Sequence, residues 1–314
     1  MDRDYIIIEN PSELGAGVRG PSVGPISVRL EDMRRGAKIY DHITFESVGS
    51  RNEELSSPSR FKHAKYIDII VEQNRILSEK VERELKMGQF PLVISGDHSN
   101  AIGSISALKN ANSDKRIGVI WIDAHADLHT PYTSPSGNVH GMPLGAALGE
   151  GYSSDAINTP DPETLVHWKN LTHLGSHRIH PKLDPEDVVL IDIRDLEEQE
   201  WTDIEVNHIK NFVPARLLNL EMEEVAKMTL KYLEGCDLIY LSFDVDSMDP
   251  SVSRGTGTSV ENGLSLQQAK NLLKSLFQSP KLALMEITEI NPLIDEENKM
   301  AKAVVSILDH LLIK

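Results

Sequence analysis

Ile117-Gly118-Val119-Ile120-Trp121-Ile122 runs directly into Asp123-Ala124-His125-Ala126-Asp127. The first six residues form a continuous apolar run. It has the length of a strand buried on both faces, and it is too short for a buried helix. In extended chain, residues two apart point the same way, so Asp123, His125 and Asp127 can project together from the strand's end. Burying three such groups without partners costs on the order of several kcal/mol. The junction therefore reads as a parallel-sheet strand that delivers polar chemistry at its carboxyl end.

The same junction recurs elsewhere. Residues 90–95 (FPLVIS) lead into Gly96-Asp97-His98-Ser99. Residues 238–243 (LIYLSF) lead into Asp244-Val245-Asp246 and then Ser247-Met248-Asp249-Pro250. Residues 282–287 (LALMEI) lead into Thr288-Glu289-Ile290-Asn291-Pro292. Two more apolar runs, 5–8 and 188–193, are strand candidates. Helical spacing fills the intervals. It covers 66–87 (Ile70, Leu77, Val81, Leu85) with Gly88 as the C-terminal cap, then 101–110, 265–277 and 300–313 (Met300, Val304, Ile307, Leu311).

Strands alternating with helices predict an α/β fold with three layers and a parallel sheet covered on both faces, one domain spanning 1–314. Ligands in such sheets bind outside the carboxyl ends of the strands, so the four polar clusters are expected at one edge. The stretch 130–143 is too irregular for helix or strand. A loop of that length in a compact domain is usually functional or mobile.

Convergence would place His98, Asp123, His125, Asp127, Asp244 and Asp246 in one small volume. Carboxylates so close raise each other's pKa and cannot all stay ionised without cations. Two divalent ions would neutralise four of them. The chain has a single cysteine, so a thiolate zinc cluster is excluded. Carboxylates with some imidazole suit harder ions, Mn²⁺ best, with Zn²⁺, Fe²⁺ and Co²⁺ left open. A lone His98 would more often be a capping or core histidine, and Asp244-Val245-Asp246 alone could be a solvated turn. Repetition at matching strand ends favours the metal centre.

Composition sets the remaining bounds. Of 314 residues, 40% are apolar and 25% charged, enough for a substantial core in a soluble protein. Lys and Arg number 32 against 48 Asp and Glu, a formal charge of −16. That balance argues against nucleic acid and anionic membrane surfaces as partners. Cys236 precedes the apolar run 238–241 and reads as a buried structural thiol. The opening MDRDYIIIEN is too short and too acidic for a signal peptide. No apolar stretch approaches the ~20 residues of a membrane span. The cytoplasm is the expected compartment.

Taken together, Gly96-Asp97-His98-Ser99, Asp123-Ala124-His125-Ala126-Asp127 and Ser242-Phe243-Asp244-Val245-Asp246 with Asp249-Pro250 resemble the arginase/agmatinase (ureohydrolase) family. The similarity runs from about residue 17 to the C-terminus. It implies a three-layer α/β/α fold around a mostly parallel eight-stranded sheet, two Mn²⁺ ions per subunit, and a homo-oligomer, trimer or hexamer. It implies one ion on His98, Asp123, Asp127 and Asp244 and the other on Asp123, His125, Asp244 and Asp246, with Asp123 and Asp244 bridging. Hydroxide then attacks the guanidinium carbon, Asp127 hydrogen-bonds that hydroxide, and the tetrahedral intermediate collapses to urea and an amine. Glu289 matches the family's acidic residue at the guanidinium, and His140 its proton-shuttling histidine.

Ser136-Gly137-Asn138-Val139-His140-Gly141 is similar to the arginase branch, where this loop meets the substrate α-carboxylate; Ser136 and Asn138 are the candidates. Arg194-Asp195-Leu196-Glu197-Glu198-Gln199-Glu200 is similar to the stretch that receives the α-amino group, with Glu197 and Glu200 at its acidic positions. Gly255-Thr256-Gly257-Thr258 also matches arginases and agmatinases, and differs from formiminoglutamases. Three positions depart from the pattern. Ser95 stands where many members have glycine, His129 where arginases carry a carboxylate-binding asparagine, and Glu197 where they carry a shorter aspartate. The resemblance implies hydrolysis of L-arginine to L-ornithine and urea. The alternatives are another guanidino compound (agmatine or a guanidino acid), a catalytically silent binding protein, or a dinuclear phosphoesterase. The last lacks a basic cluster beside the motifs.

Overall fold

The computed structural model describes residues 3–36, 38–149 and 156–313. The domain expected over 1–314 thus includes a few positions outside the described residues. The strands are β1 (Tyr5–Asn10), β2 (Thr44–Ser47), β3 (Phe90–Ser95), β4 (Ile117–Ile122), β5 (Val188–Ile191), β6 (Lys210–Phe212), β7 (Leu238–Asp244) and β8 (Leu282–Thr288). They form one sheet in the order β2-β1-β3-β8-β7-β4-β5-β6. Every pairing is parallel, where the resemblance implied only mostly parallel.

The helices are α1 (Gly24–Arg34), α2 (Ile67–Lys86), α3 (Ala101–Ala111), α4 (Pro143–Leu148), α5 (Pro162–Thr172), α6 (Glu198–Val206), α7 (Pro214–Leu217), α8 (Met222–Tyr232), α9 (Leu266–Phe277) and α10 (Lys299–Leu312). The continuous apolar runs are explained by cover on both faces. Ile120, Ile122, Leu241 and Phe243 pack with Val225, Leu272 and Val304 of α8, α9 and α10. Their alternates Val119, Trp121 and Tyr240 pack with Ile70, Leu77 and Ile105 of α2 and α3. Each such buried side chain stabilises the fold by about 1.5–3 kcal/mol. The strands are therefore held rigidly between two layers. Gly88, at φ +82°, ends α2 as expected, and a Ser265–Gln268 capping box starts α9.

Two strands and several helices escape a reading of apolar runs. β2 is exposed along its whole length, and β6 has only three residues. Both are edge strands, where short and polar sequence guards against pairing with other chains. The buried face of α1 includes Ser27, Glu31 and Asp32 beside Val28, so it shows little apolar period. Cys236 is buried, its thiol donating to Asp187 Oδ1 at 3.2 Å, as expected of a structural thiol.

The four central strands matter most for function. Ile94, Ile287, Phe243 and Ile122 lie side by side in register on β3, β8, β7 and β4. The residues that follow each of them are the four polar clusters, so one sheet edge gathers them all.

Candidate metal centre

Imidazole and carboxylate atoms meet at this edge in two groups that share Asp123. His98 Nδ1 lies 3.0 Å from Asp123 Oδ2, 2.9 Å from Asp127 Oδ2 and 3.1 Å from Asp244 Oδ2. His125 Nδ1 lies 3.0 Å from Asp246 Oδ2 and 3.4 Å from Asp123 Oδ1. All six side chains are buried except that of His125, which is partly exposed. Asp127 adopts φ +52° and Glu289 φ +66°. For non-glycine residues this left-handed backbone costs on the order of 1 kcal/mol, and such strain collects at functional sites.

Backbone donors fix the carboxylates. Asp123 Oδ1 accepts the His125 N–H at 2.7 Å, Asp244 Oδ1 the Asp246 N–H at 2.8 Å, and Asp246 Oδ1 the Ala124 N–H at 3.1 Å. Thr258 Oγ1 donates to Asp246 Oδ2 at 3.0 Å. The remaining oxygens are left facing inward. His98 Nδ1 and Asp123 Oδ2 are buried without a hydrogen-bond partner, while His98 Nε2 is 2.7 Å from Ser242 Oγ. With Nε2–H on the serine, the Nδ1 lone pair faces three carboxylate oxygens. Lone pairs so crowded are stable only around a proton or a cation. The donor set, four carboxylates and two imidazoles, fits hard divalent ions, Mn²⁺ among them.

The protonation pattern agrees. Burial pushes the Asp127, Asp244 and Asp246 carboxyls up, aided by neighbouring carboxylates. Burial alone would lower His98 and His125, but the surrounding carboxylates reverse this and raise both. At Asp123 the two imidazoles outweigh burial and hold the carboxyl low. Without metal, the site retains protons where cations would sit, and metal binding must displace them.

Beside the six lies a cavity of about 150 Å³, lined by every other expected site residue. Asp123 alone is not part of its wall. At its floor, Glu289 Oε1 accepts the His98 backbone N–H at 2.9 Å and contacts His140 Nδ1 at 3.1 Å. The Glu289 contact raises the His140 pKa against the effect of burial. At the rim, His129 Nε2 is 3.0 Å from Glu197 Oε2 and 3.6 Å from Glu200 Oε2. Glu197 caps α6 and Glu200 closes its capping box. His129 pulls Glu197 down to about 2, whereas burial pushes Glu200 up to about 8. His129 and Glu197 thus bond each other directly, which the sequence did not foretell.

The loop 130–143 forms another wall. Ser136 Oγ accepts the Asn138 N–H at 3.1 Å. Asn138 Oδ1 accepts from Lys65 Nζ at 2.9 Å, and the Lys65 N–H bonds Gly137 O at 2.7 Å. Gly137 has φ +72°, and a Cβ there would stand 2.2 Å from Lys62 O; only glycine lets the loop pack so closely. Three neighbours of the site were not singled out from sequence. They are Lys65; Trp121, which stacks on His98 at 4.2 Å; and Ser242. Ser242 stands inside a quoted motif, but its contact depends on lateral register.

The sequence profile of the arginase family matches residues 3–314. Arginase of Bacillus subtilis (strain 168) is 33% identical over 99% of this chain and 98% of its own length. A solved structure of Bacillus subtilis arginase matches with TM-score 0.81 and 32% identity, covering 99% of each chain. Entamoeba histolytica arginase, solved in complex with L-ornithine, matches with TM-score 0.82 and 28% identity over 99% of this chain and 98% of that one. With the profile matched along almost the whole chain and these identities spanning it, the chain belongs to the arginase family and is a hydrolase of C–N bonds in linear amidines.

Proposed function

We propose that the protein hydrolyses L-arginine to L-ornithine and urea, with two Mn²⁺ ions held by His98, Asp123, Asp127 and Asp244 and by Asp123, His125, Asp244 and Asp246. The observation that carries this reading is the set of inward-facing, unpartnered lone pairs beside a cavity floored by Glu289. Two such ions, when bound, supply Lewis-acid charge and make hydroxide available near neutral pH. The chain's own groups do the rest. Asp127 accepts a hydrogen bond from the attacking oxygen and aims it at the guanidinium carbon. Glu289 accepts guanidinium N–H bonds, which its planar carboxylate matches. His140, beside Glu289, passes a proton to the leaving amine. At the rim, Ser136, Asn138 and His129 receive the α-carboxylate, while Glu197 and Glu200 receive the α-amino group. Support comes from the relative solved with L-ornithine, which carries both groups.

One observation favours a second reading. The direct His129–Glu197 bond engages the carboxylate that an α-amino group would need, so a guanidino acid without that group would lose less. Urea release from Mn²⁺-reconstituted protein, with L-arginine, agmatine and guanidinobutyrate in parallel, separates the two. L-arginine is expected to lead in kcat/KM by at least about tenfold, since a hydrogen bond to a charged group contributes about 1.5–3 kcal/mol. A lead by guanidinobutyrate would move the assignment. No turnover of any of them would support the silent binding protein.

Asn138→Ala is expected to lower kcat/KM for arginine by about 10–100-fold, the same hydrogen-bond energy expressed at 1.36 kcal/mol per decade. Agmatine, which lacks the carboxylate, should be nearly unaffected. Equal losses would remove Asn138 from carboxylate recognition. The same proposal takes residues 1–314 as a single cytoplasmic domain assembled as a trimer or hexamer. No helix among the described residues is long and apolar enough to cross a membrane. Light scattering should give three or six times 35.0 kDa; a monomer mass would end that part of the proposal.

A further inference from the structure

The chain entering α2 is held firmly. Ala64 and Ile67 are fully buried, and the Tyr66 N–H bonds Ser59 Oγ at 2.8 Å. Lys65 therefore projects from fixed backbone. It grips the loop 130–143 twice. Its main-chain N–H bonds Gly137 O at 2.7 Å, and its Nζ bonds Asn138 Oδ1 at 2.9 Å. No carboxylate pairs with Lys65 among the described residues. The lysine stands behind the loop as seen from the substrate cavity. It lines an adjoining cavity of about 700 Å³, which shares only Pro135 and Ser136 with the first.

An ammonium only donates, and a side-chain amide has a single acceptor, its oxygen. Of the two ends of the Asn138 amide, only the oxygen can therefore face Lys65, and the NH₂ group is turned the other way. That way lies His140. A Cβ placed on Gly17 would stand 2.7 Å from Asn138 Nδ2 and 3.8 Å from His140 Nε2, and Asn138 and His140 both line the substrate cavity. The Asn138 main chain is fixed as well, its N–H held by Ser136 Oγ at 3.1 Å. Turning over of the amide is the freedom left, and the lysine removes it.

We infer that Lys65 is a positioning residue for carboxylate recognition: it fixes the Asn138 amide with its N–H donors toward the substrate α-carboxylate. The inference rests on the role proposed for Asn138 above, and it names the group that makes Asn138 a donor there. The two ends of an amide are nearly equal in size, so without Lys65 the group can turn over. It then offers its oxygen to the carboxylate. Two acceptors face each other with no proton between them, and binding is lost. Lys65 itself does not face the substrate cavity, so its loss should be felt only by ligands that carry the carboxylate.

The test compares Lys65→Met with wild type in Mn²⁺-loaded enzyme, using L-arginine, agmatine and the product L-ornithine. Methionine keeps the main-chain N–H and much of the side chain's length, and removes the donor. The kcat/KM for L-arginine is expected to fall about tenfold, the scale of one hydrogen bond to a charged group. The loss should appear in KM rather than kcat, and the Kd of L-ornithine, measured by calorimetry, should rise by the same factor. Agmatine should keep its kcat/KM. Lys65→Arg, which still donates, should recover most of the loss. In an Asn138→Ala background, Lys65→Met should cost L-arginine nothing more, since the two residues act through one contact. A tenfold loss that persists there would mean that the lysine's charge attracts the carboxylate directly. A loss shared by agmatine would mean that it only shapes the loop. Either result overturns the inference, and so does a Lys65→Met enzyme that matches wild type. The reading beneath it fails separately: if Asn138→Ala leaves the ratio of L-arginine to agmatine turnover unchanged, Asn138 does not meet the carboxylate, and the inference falls with it.

Discussion

Asp244→Asn is expected to reduce urea release by about 10²–10⁴-fold and to lower the bound metal below two ions per chain. Asp244 is buried, with one oxygen 3.1 Å from His98 Nδ1 and the other held by the Asp246 N–H at 2.8 Å. In the proposed centre it touches both ions. An amide has a single carbonyl oxygen and turns N–H groups toward the cations, so it cannot bridge. Removing one charged partner from a buried ionic cluster costs about 3–5 kcal/mol, and each 1.36 kcal/mol is one decade. Metal content and kcat should be measured on the same sample. The metal-free variant offers a second check. In metal-free protein, burial and the neighbouring Asp246 and Asp123 carboxylates favour a protonated, neutral Asp244 carboxyl, so a neutral amide there removes no charge. Metal-free Asp244→Asn is therefore expected to melt no lower than metal-free wild type. Two bound ions and an unchanged rate would show that Asp244 is not a ligand.

Removing the metal should cost the protein much of its stability. A ligand present at a hundred times its Kd stabilises by about 2.7 kcal/mol per site, so two sites contribute roughly 5 kcal/mol. In a chain of this size, about 2 °C per kcal/mol is a fair conversion, and chelation should lower the Tm by about 10 °C. The sign of the pH dependence follows from the same groups. His98 and His125 hold protons tightened by their carboxylates, and Mn²⁺ must displace them. Its stabilising effect should therefore grow as pH rises from acid toward neutral. Differential scanning fluorimetry with Mn²⁺ and with chelator, at several pH values, measures both. Equal Tm values with and without metal would mean the cluster is stable as a protonated network and takes up no ion.

Much of this was legible from the sequence, for a specific reason. β3, β4, β7 and β8 are buried on both faces, so each reads as an unbroken apolar run whose end marks the polar cluster. That regularity exposed the six centre residues, Glu289 and the sheet edge that gathers them. The edge strands β2 and β6 gave no such run, and α1 buries Ser27, Glu31 and Asp32 where a period of apolar residues would be sought. What remained hidden was lateral. The Ser242 contact of His98 and the Ser95 and Tyr240 contacts of Glu286 exist only once the register of the central strands is known. Lys65 and Asn138 are 73 positions apart in sequence, and nothing local pairs them. His129 and Glu197 each looked like a group facing substrate. Their bond to one another emerges only when the start of α6 folds over the loop that follows β4.

Urea release from L-arginine, measured against the number of Mn²⁺ ions bound per chain, tests the central claim most directly. The expected result is no turnover in metal-free protein and a rate that climbs to its full value as the second ion fills. Full activity in metal-free protein, or no urea with both sites occupied, would contradict it.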